Sequence, residues 1–461
     1  MSILNKDALL SHGNFKGREI AIDIAMHAIK AVNTYDGVRR IINIANNKLK
    51  VGILSYDLSE IKNIFVFGAG KATMGQARAL DEILGDRIKK GIVIVKKGQR
   101  QRLRNIDVEE GGHPVPDEGS FRSAGKILKA CQSVSRQDLV FFCDSGGSTA
   151  LMSHPAEGSG ISFEDERTIT HLLLMSGAPI YEMNAVRRHI TAMKGGKLQQ
   201  RILSKGTKMI NFVVPDAPRI FNPSPSLAIP RQGGWEDHTT FQDAVDVLRR
   251  YDLWTRTPVS IRKHLKKGLE GTIPETPKDF TRMEVHTFTL GSIDTACMAA
   301  EKRVVELGFN SMILSTVLEG ESREAGIALA SVAREVEGHG RPVKPPCVLI
   351  SGGETTVSLE MGSGEGGPSQ ELALGFAIKI SGSKNITCLA IDTDGNDGPT
   401  DIAGGLVDGY TMKRARERGI DVFESLKNHN SSHVFKQLRD AVYTDYTDTN
   451  VCDLNIVVIG A

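Results

Sequence analysis

The chain carries no paired cysteine motif, no long apolar run and almost no excess of one charge. Its six cysteines, at positions 131, 143, 297, 347, 388 and 452, include no CxxC pair, which removes zinc-ribbon and thioredoxin-type motifs. They fall in stretches that read as strands or helices, so they are expected to be reduced, buried small residues of a cytoplasmic protein. No charged-then-apolar leader is evident at the N-terminus, and no apolar run approaches ~18 residues, so neither a secretory signal nor a membrane span is expected. Lys and Arg number 57 against 55 Asp and Glu, a formal charge of +2. A dedicated nucleic-acid surface would show a basic excess, so no nucleic acid is expected as a partner. None of the twelve histidines stands at ligand spacing from a second one, and no zinc site is expected. Aromatics are scarce at 5%, whereas glycine is plentiful at 47 of 461 residues. That balance suits an α/β enzyme with many tight turns from strand to helix, in a chain long enough for two to three domains.

What the chain has is a repeated motif. The apolar run Cys347-Val348-Leu349-Ile350 ends abruptly in Ser351-Gly352-Gly353-Glu354-Thr355-Thr356. Phe65-Val66-Phe67 runs into Gly68-Ala69-Gly70-Lys71, and Leu139 to Cys143 runs into Asp144-Ser145-Gly146-Gly147-Ser148-Thr149. Each reads as a buried strand followed by a glycine turn. Backbone N–H groups in such turns point outward, and glycine lets an anion approach closely. Tight turns also need glycine for their own sake. Three strand ends that carry glycine, hydroxyl and charge together point to a phosphate-handling cleft.

The remaining pattern alternates. Residues 1–16 read as a loose arm, followed by helices at about 17–32 and 36–48, the second opened by Asp36. Strands are expected at 64–67, 91–95, 139–143 and 209–214, with helices from 71, 120, 163 and 183 between and after them. The segment 215–240 holds Pro215, Pro218, Pro223, Pro225 and Pro230 with Gly233-Gly234, and reads as a long functional loop, a lid or a connection. A helix at 241–250 precedes the stretch Gly268–Lys278, which carries Pro274 and Pro277 and marks the expected boundary between domains of 1–275 and 276–461. Beyond it, strands at 285–290, 312–315, 387–391 and 455–459 alternate with helices at 293–307, at 322–337 and from about Gln370. The fold class expected is α/β, with two α/β domains and mainly parallel sheets flanked by helices.

Several constellations carry possible chemistry. Lys71 stands at the mouth of a strand-to-helix turn, where a cation could face a phosphoryl group or a substrate carboxylate, or simply be solvated. Asp392-Thr393-Asp394-Gly395-Asn396-Asp397 follows a strand; its carboxylates suit Mg²⁺, and equally an Asx-rich turn. Asn184, Arg187 and Arg188 lie three to four residues apart on a cationic helical segment that leads to Lys194-Gly195-Gly196-Lys197. Arginine there matches carboxylate or phosphate; a solvated face is the plainer alternative. The glycines 362, 364 and 367 spell GxGxxG, but the better strand ends a full loop earlier, at Ile350, which weakens a dinucleotide reading.

Taken together these segments resemble the glycerate 2-kinase family, whose C-terminal part is the MOFRL domain and whose members were formerly labelled hydroxypyruvate reductases. The likeness runs from about residue 17 to 455, with the MOFRL region at about 345–455. It is carried by Gly68-Ala69-Gly70-Lys71-Ala72, Gly112-His113-Pro114-Val115-Pro116-Asp117, Ser176-Gly177-Ala178, Glu182 to His189, Lys194 to Leu198, Ser351 to Thr355 and Asp394 to Asp401. The resemblance implies an active site in the interdomain cleft and ATP-dependent phosphorylation of the 2-hydroxyl of D-glycerate or a close relative, with Mg²⁺, and makes Lys71 the catalytic lysine. On that reading Asp394 acts with it. Ser145, Gly146, Gly147, Ser148, Asn184, Arg187 and Lys194 bind substrate. Gly352, Gly353, Glu354, Thr355, Gln370 and Glu371 line the nucleotide, and Asp394 and Asp397 hold the metal. A homodimer is allowed. A catalytically altered relative that binds a nucleotide or sugar acid as sensor or partner subunit, and an NAD(P)-dependent hydroxypyruvate reductase, are the alternatives. The sequence departs from the family where Gly-Gly-Arg-Asn-Gln-Glu is replaced by Gly366-Gly367-Pro368-Ser369-Gln370-Glu371, which puts proline in place of an arginine. The family's Ser-Asp-x-Pro-Gly-Asp is Phe212 to Ala217, and its Gly-Pro-Thr-Gly-Thr-Asn-Val is Asp445 to Val451.

Overall fold

The computed structural model describes residues 2–217, 227–232, 235–358 and 363–461. The chain divides into two compact units: Thr34–Val213 with Pro223–Leu290, and Met1–Asn33 with Val214–Asn222 and Gly291–Ala461. These bounds differ from a cut at 275. Residues 285–289 form a strand that pairs in parallel with 209–213, so the first unit runs past the proline-bearing stretch. The N-terminal residues fold into the second unit, where helix Phe15–Ala31 packs on helix Ile293–Glu306 and on the strands Ile386–Asp392 and Asp453–Ile459.

The first unit opens with helix Thr34–Ile41 and a three-stranded antiparallel meander, β1 (Ile42–Ala45), β2 (Lys48–Val51) and β3 (Leu54–Asp57). A helix to residue 48 was expected there. Asn46 and Asn47 both take positive φ between the paired residues Ala45 and Lys48, the conformation of a two-residue hairpin turn that Asn tolerates. The main sheet, among the described residues, has the order β6-β5-β4-β7-β8-β10-β9. Its strands are β4 (Ile64–Ala69), β5 (Ile88–Lys96), β6 (Ile106–Gly111), β7 (Leu139–Ser145), β8 (Lys208–Val214), β9 (Arg231–Gln232) and β10 (Val285–Thr289). The pairs β4/β5, β4/β7, β5/β6 and β8/β10 are parallel, and the short edge strand β9 is antiparallel to β10. Every residue of β4 is buried, as expected of a parallel strand covered on both faces. Helices Thr73–Leu84 and Glu118–Cys131 are crossovers, the latter started by a capping box between Asp117 and Ser120. The cationic segment expected as one helix over 183–203 is two, Ile180–Ile190 and Lys197–Leu203. Gly195 and Gly196, at φ 61° and 76°, break it.

The second unit has a six-stranded sheet, again among the described residues, in the order β11-β12-β16-β13-β14-β15. These are β11 (Asn310–Leu318), β12 (Cys347–Gly353), β13 (Ile386–Asp392), β14 (Gly404–Asp408), β15 (Ala441–Val442) and β16 (Asp453–Ile459). β11 and β12 are parallel. The last strand, β16, lies antiparallel between β12 and β13, and β14 returns antiparallel beside β13. The sheet is therefore mixed, because the connection from β13 to β14 is too short for a helical crossover. Helices Ser322–His339 and Pro368–Lys379 bury Leu329, Ala333, Leu372 and Phe376 in its core. Residues 2–16 are not a loose arm. Asn5 donates to the Ala441 carbonyl at 2.7 Å and accepts the Tyr443 N–H at 3.2 Å. Arg18, wholly buried, pairs with Asp408 at 2.5 Å and Asp440 at 2.7 Å. All six cysteines are buried and free. Among the described residues no helix is long and apolar enough to cross a membrane.

Candidate functional site

In the first unit, parallel pairing of β4 and β7 brings two of the glycine turns side by side. Gly68 lies opposite Cys143 and Ala69 opposite Asp144. Just beyond, the Lys71 N–H donates to the Gly146 carbonyl at 2.9 Å and the Ala72 N–H to Ser145 Oγ at 2.9 Å. Gly147 sits at φ 84°, and a Cβ added there would meet His113 Cδ2 at 3.0 Å, His113 Nε2 at 3.2 Å and Lys71 Cγ at 3.2 Å. Lys71, Ser145, Gly146, Gly147 and His113 thus form one cluster at the C-terminal ends of adjacent parallel strands, where open α/β sheets bind ligands. Ser148 starts the four-residue helix that follows. His113 was legible only as part of a rigid loop; its place against Gly147 comes from the alignment of β6 with β5 and β4.

A second group in the same unit involves Ser153 and the cationic segment. Lys194 Nζ donates to Ser153 Oγ at 3.0 Å and to Glu166 Oε1 at 3.3 Å, and Ser153 Oγ also donates to Glu166. Burial, with Arg187 as a like charge nearby, lowers the Lys194 pKa to about 8 despite the Glu166 partner. Burial also lowers the pKa of Arg187, on which the Glu166 charge acts in the opposite sense. Glu166 was not singled out in the sequence, because it lies in the acidic first turn of helix Phe163–Met175 and looks like an ordinary helix-start residue. Arg188 differs from Arg187: it pairs with Asp237 at 3.0 Å.

In the second unit the third glycine turn has a different basis. A Cβ on Gly352 would meet Ile293 Cγ1 at 2.2 Å and Cys297 Sγ at 3.0 Å, and one on Gly353 would strike the Leu318 backbone. Both glycines therefore admit close packing of a helix and of β11 against β12. Thr355 Oγ1 accepts from Ser322 Oγ at 2.9 Å, while Glu354 is exposed. Gln370 is buried, with its amide donating to Thr400 Oγ1 at 3.3 Å and its carbonyl accepting from Ser432 Oγ at 2.8 Å. Glu371 is buried against His429 at 2.9 Å. Both side chains make these contacts within their own unit.

The acidic turn is capping structure in part. Asp397 Oδ1 accepts the Ser369 N–H at 3.0 Å and its Oδ2 accepts the Gln370 N–H at 2.8 Å, filling the free donors of a helix start. Pro368 is the first residue of that helix, a position where the missing N–H costs nothing. Burial, with Asp394 nearby, raises the Asp397 pKa to about 7 in spite of those donors. Burial and the carboxylates of Glu354, Asp392 and Asp397 raise Asp453 well above the usual range. Among the described residues no three His, Cys, Asp or Glu side chains converge as a metal cage. Each Asp397 oxygen accepts one helix N–H and keeps a further lone pair. Asp394, whose Oδ1 accepts the Asn396 N–H at 2.7 Å, fits the task of a carboxylate beside an ion that arrives with phosphates. Of the proline-rich segment 215–240, expected as a lid or connection, residues 218–226, 233 and 234 lie outside the described residues, as does Gly362, the first glycine of the GxGxxG pattern.

Comparison with known proteins bears on the whole chain. Residues 20–266 match the family described as Domain of unknown function (DUF4147), and residues 347–453 match the MOFRL family. A glycerate 2-kinase of Pyrococcus horikoshii is 40% identical over 443 residues, 96% of this chain and 97% of that protein. A D-glycerate 2-kinase of Thermotoga maritima is 35% identical over 96% of this chain and 98% of its own length. The crystal structure of glycerate kinase from Thermotoga maritima superposes with a TM-score of 0.76, at 34% identity, over 96% of this chain and 99% of that one. Likeness of this extent, in sequence and in fold, settles the kinship: the chain belongs to the glycerate 2-kinase family.

Proposed function

We propose that the protein transfers the γ-phosphoryl group of ATP to a hydroxyl of a small hydroxy acid, D-glycerate giving 2-phosphoglycerate. Family membership supports the reaction, and the cluster of Lys71, Ser145, Gly146, Gly147 and His113 is the observation that carries it. Phosphoryl transfer asks chiefly for positioning and charge stabilisation. Lys71 supplies a cation beside a turn that glycine keeps open, where negative charge on the transferring group is countered. Ser145 to Ser148 position the acceptor, with Asn184, Arg187 and Lys194 as the polar groups of the same unit assigned to the acid. Glu354 and Thr355 are the groups of the other unit assigned to the nucleotide, and Asp394 is the carboxylate assigned to its Mg²⁺. When bound, Mg²⁺ neutralises phosphate charge. The six free, buried cysteines suit a cytoplasmic enzyme.

The test is ADP release by the purified protein with ATP, Mg²⁺ and a panel of C3–C6 hydroxy acids, with phosphorus NMR of the product. D-Glycerate-dependent ADP release and a phosphate on the 2-hydroxyl are expected. Consumption of NAD(P)H with hydroxypyruvate and no ADP would favour a reductase. Nucleotide binding without turnover of any acid would favour a sensor or partner subunit.

A further inference from the structure

The first unit carries a cavity of about 1180 Å³ that is lined by none of Lys71, His113, Ser145 to Ser148, Asn184, Arg187 or Lys194. Its walls come mostly from helices Lys197–Leu203 and Val259–Leu269 and from residues within 156–159, 191–192 and 270–277. Lysines and arginines outnumber carboxylates there by five to three. Two of those carboxylates are already engaged. Glu157 accepts from Nη1 and Nη2 of Arg201 at 2.9 Å each, and Glu275 accepts the Phe241 N–H at 2.9 Å and faces His189 at 3.1 Å. Lys263, Lys266 and Lys267 share one face of their helix, at i, i+3 and i+4, and are exposed with no ion pair among the described residues. Lys197 is half-buried. Its Nζ donates to the Arg188 and Thr191 carbonyls at 2.9 Å each, and an ammonium has a third donor. Burial lowers its pKa to about 8, with Lys194 and Lys278 as like charges, although Asp237 and Glu275 act the other way. Lys266 and Lys267 also complement the C-terminal end of their helix. That accounts neither for Lys263, a turn earlier, nor for Lys197, at the unfavourable N-terminal end of another helix.

We propose that this cavity binds an organic phosphate, at a site separate from the cluster around Lys71. Ammonium groups act as point charges and suit the tetrahedral oxygens of a phosphate. The one guanidinium in the wall, whose planar fork would favour a carboxylate, is closed on Glu157. Lysines of two helices border the same space, and an anion seated there keeps Lys197 charged. The volume exceeds what a bare phosphate fills, since sites for small organic ligands run to roughly 300–1,000 Å³. Ile273, Pro274 and Met283 offer apolar contact to a carbon body. Binding at this site does not depend on the kinase reading above.

The experiment titrates the full chain with AMP, 3-phosphoglycerate and inorganic phosphate at pH 7 in low salt, by calorimetry and by shift in melting temperature. Wild type is compared with the double variant Lys263→Gln, Lys267→Gln and with Lys71→Ala. The double variant should weaken about tenfold a binding step that Lys71→Ala leaves within about twofold, the size expected of two exposed charge contacts. Both lysines are exposed, so the melting temperature of the double variant without ligand, and its kcat without added anion, should match wild type. Tighter binding of AMP identifies a nucleotide as the ligand, and tighter binding of 3-phosphoglycerate identifies a phosphorylated acid. No binding of any probe, no step weakened in the double variant, or only steps that Lys71→Ala weakens equally, overturns the proposal. Inorganic phosphate bound as tightly as either ester overturns the assignment to an organic phosphate.

Discussion

Asp397 holds the start of the helix Pro368–Lys379, its Oδ2 accepting the Gln370 N–H at 2.8 Å. The carboxylate performs this at the centre of a knot of like charge, where burial and Asp394 lift its pKa to about 7. Asp453, at the start of the neighbouring β16, is also lifted well above the usual range, by burial and by Glu354, Asp392 and Asp397. Ionisation here works against the folded state.

That relationship predicts the pH dependence of an Asp453→Asn variant. An aspartate titrates near ~3.9 when unfolded, and the folded value is higher. Its contribution to stability is therefore full below about pH 4 and is lost as pH rises through the raised folded value. Asparagine has no such loss. The melting-temperature advantage of the variant over wild type should be larger at pH 8 than at pH 5, read by calorimetry in low salt. An advantage equal at both values would remove the charge explanation.

Lys71→Ala should lower kcat with D-glycerate by roughly 10²–10³-fold, the usual size for one electrostatic donor. The turn is held through the backbone of Lys71 and through Ala72, so the melting temperature should stay within a few degrees. Turnover at the wild-type rate would remove Lys71 from the phosphoryl group.

Two glycines should respond differently to alanine. Gly147→Ala forces a non-glycine residue to φ 84° and brings Cβ within 3.0 Å of His113; the left-handed conformation alone costs about 1–2 kcal/mol. Turnover and melting temperature should both fall. Gly352→Ala drives Cβ to 2.2 Å from Ile293, overpacking worth about 1–3 kcal/mol. It should lower the melting temperature while the KM for ATP holds. A raised KM for ATP at unchanged stability would put Gly352 on the nucleotide after all.

The KM for D-glycerate should rise with pH above about 8. Lys194, buried beside Glu166 and Arg187, has its pKa lowered to about 8 by burial, so its charge is lost there and the anion-binding group weakens. Lys194→Met should have a high KM at every pH and no such rise. A flat wild-type profile from about pH 7 to 9.5 would show that the Lys194 charge does not contribute.

The three glycine turns were legible because each ends an apolar run with small and charged residues, and β4, β7 and β12 do end there. Their reasons were not equally legible. A glycine that keeps a turn open and one that admits a neighbouring helix look alike in sequence, and only the positions of His113 and Ile293 separate Gly147 from Gly352. That Asp397 caps a helix was not legible, because a capping carboxylate and a coordinating one share the same Asx-rich setting. The contacts of Gln370 and Glu371 were not legible, because nothing local shows which face of a helix meets Ser432 and His429. The fit of Pro368 at the first position of a helix became apparent only once that helix start was located. The helix expected to residue 48 stops at Ile41, because Asn46 and Asn47 take the positive φ of a hairpin turn between β1 and β2.

The placement of β16 has a consequence for synthesis. The second unit needs both ends of the chain: Arg18 pairs with Asp408 and Asp440, and residues 453–459 fill the gap between β12 and β13. The first unit is complete once residue 290 has emerged. On the ribosome it can therefore fold while the N-terminal helices wait, without their sheet, for the last strand to leave the exit tunnel. A nascent chain stalled before residue 453 would hold one finished unit and one with its central strand missing, its two flanking edges unpaired and open to other chains.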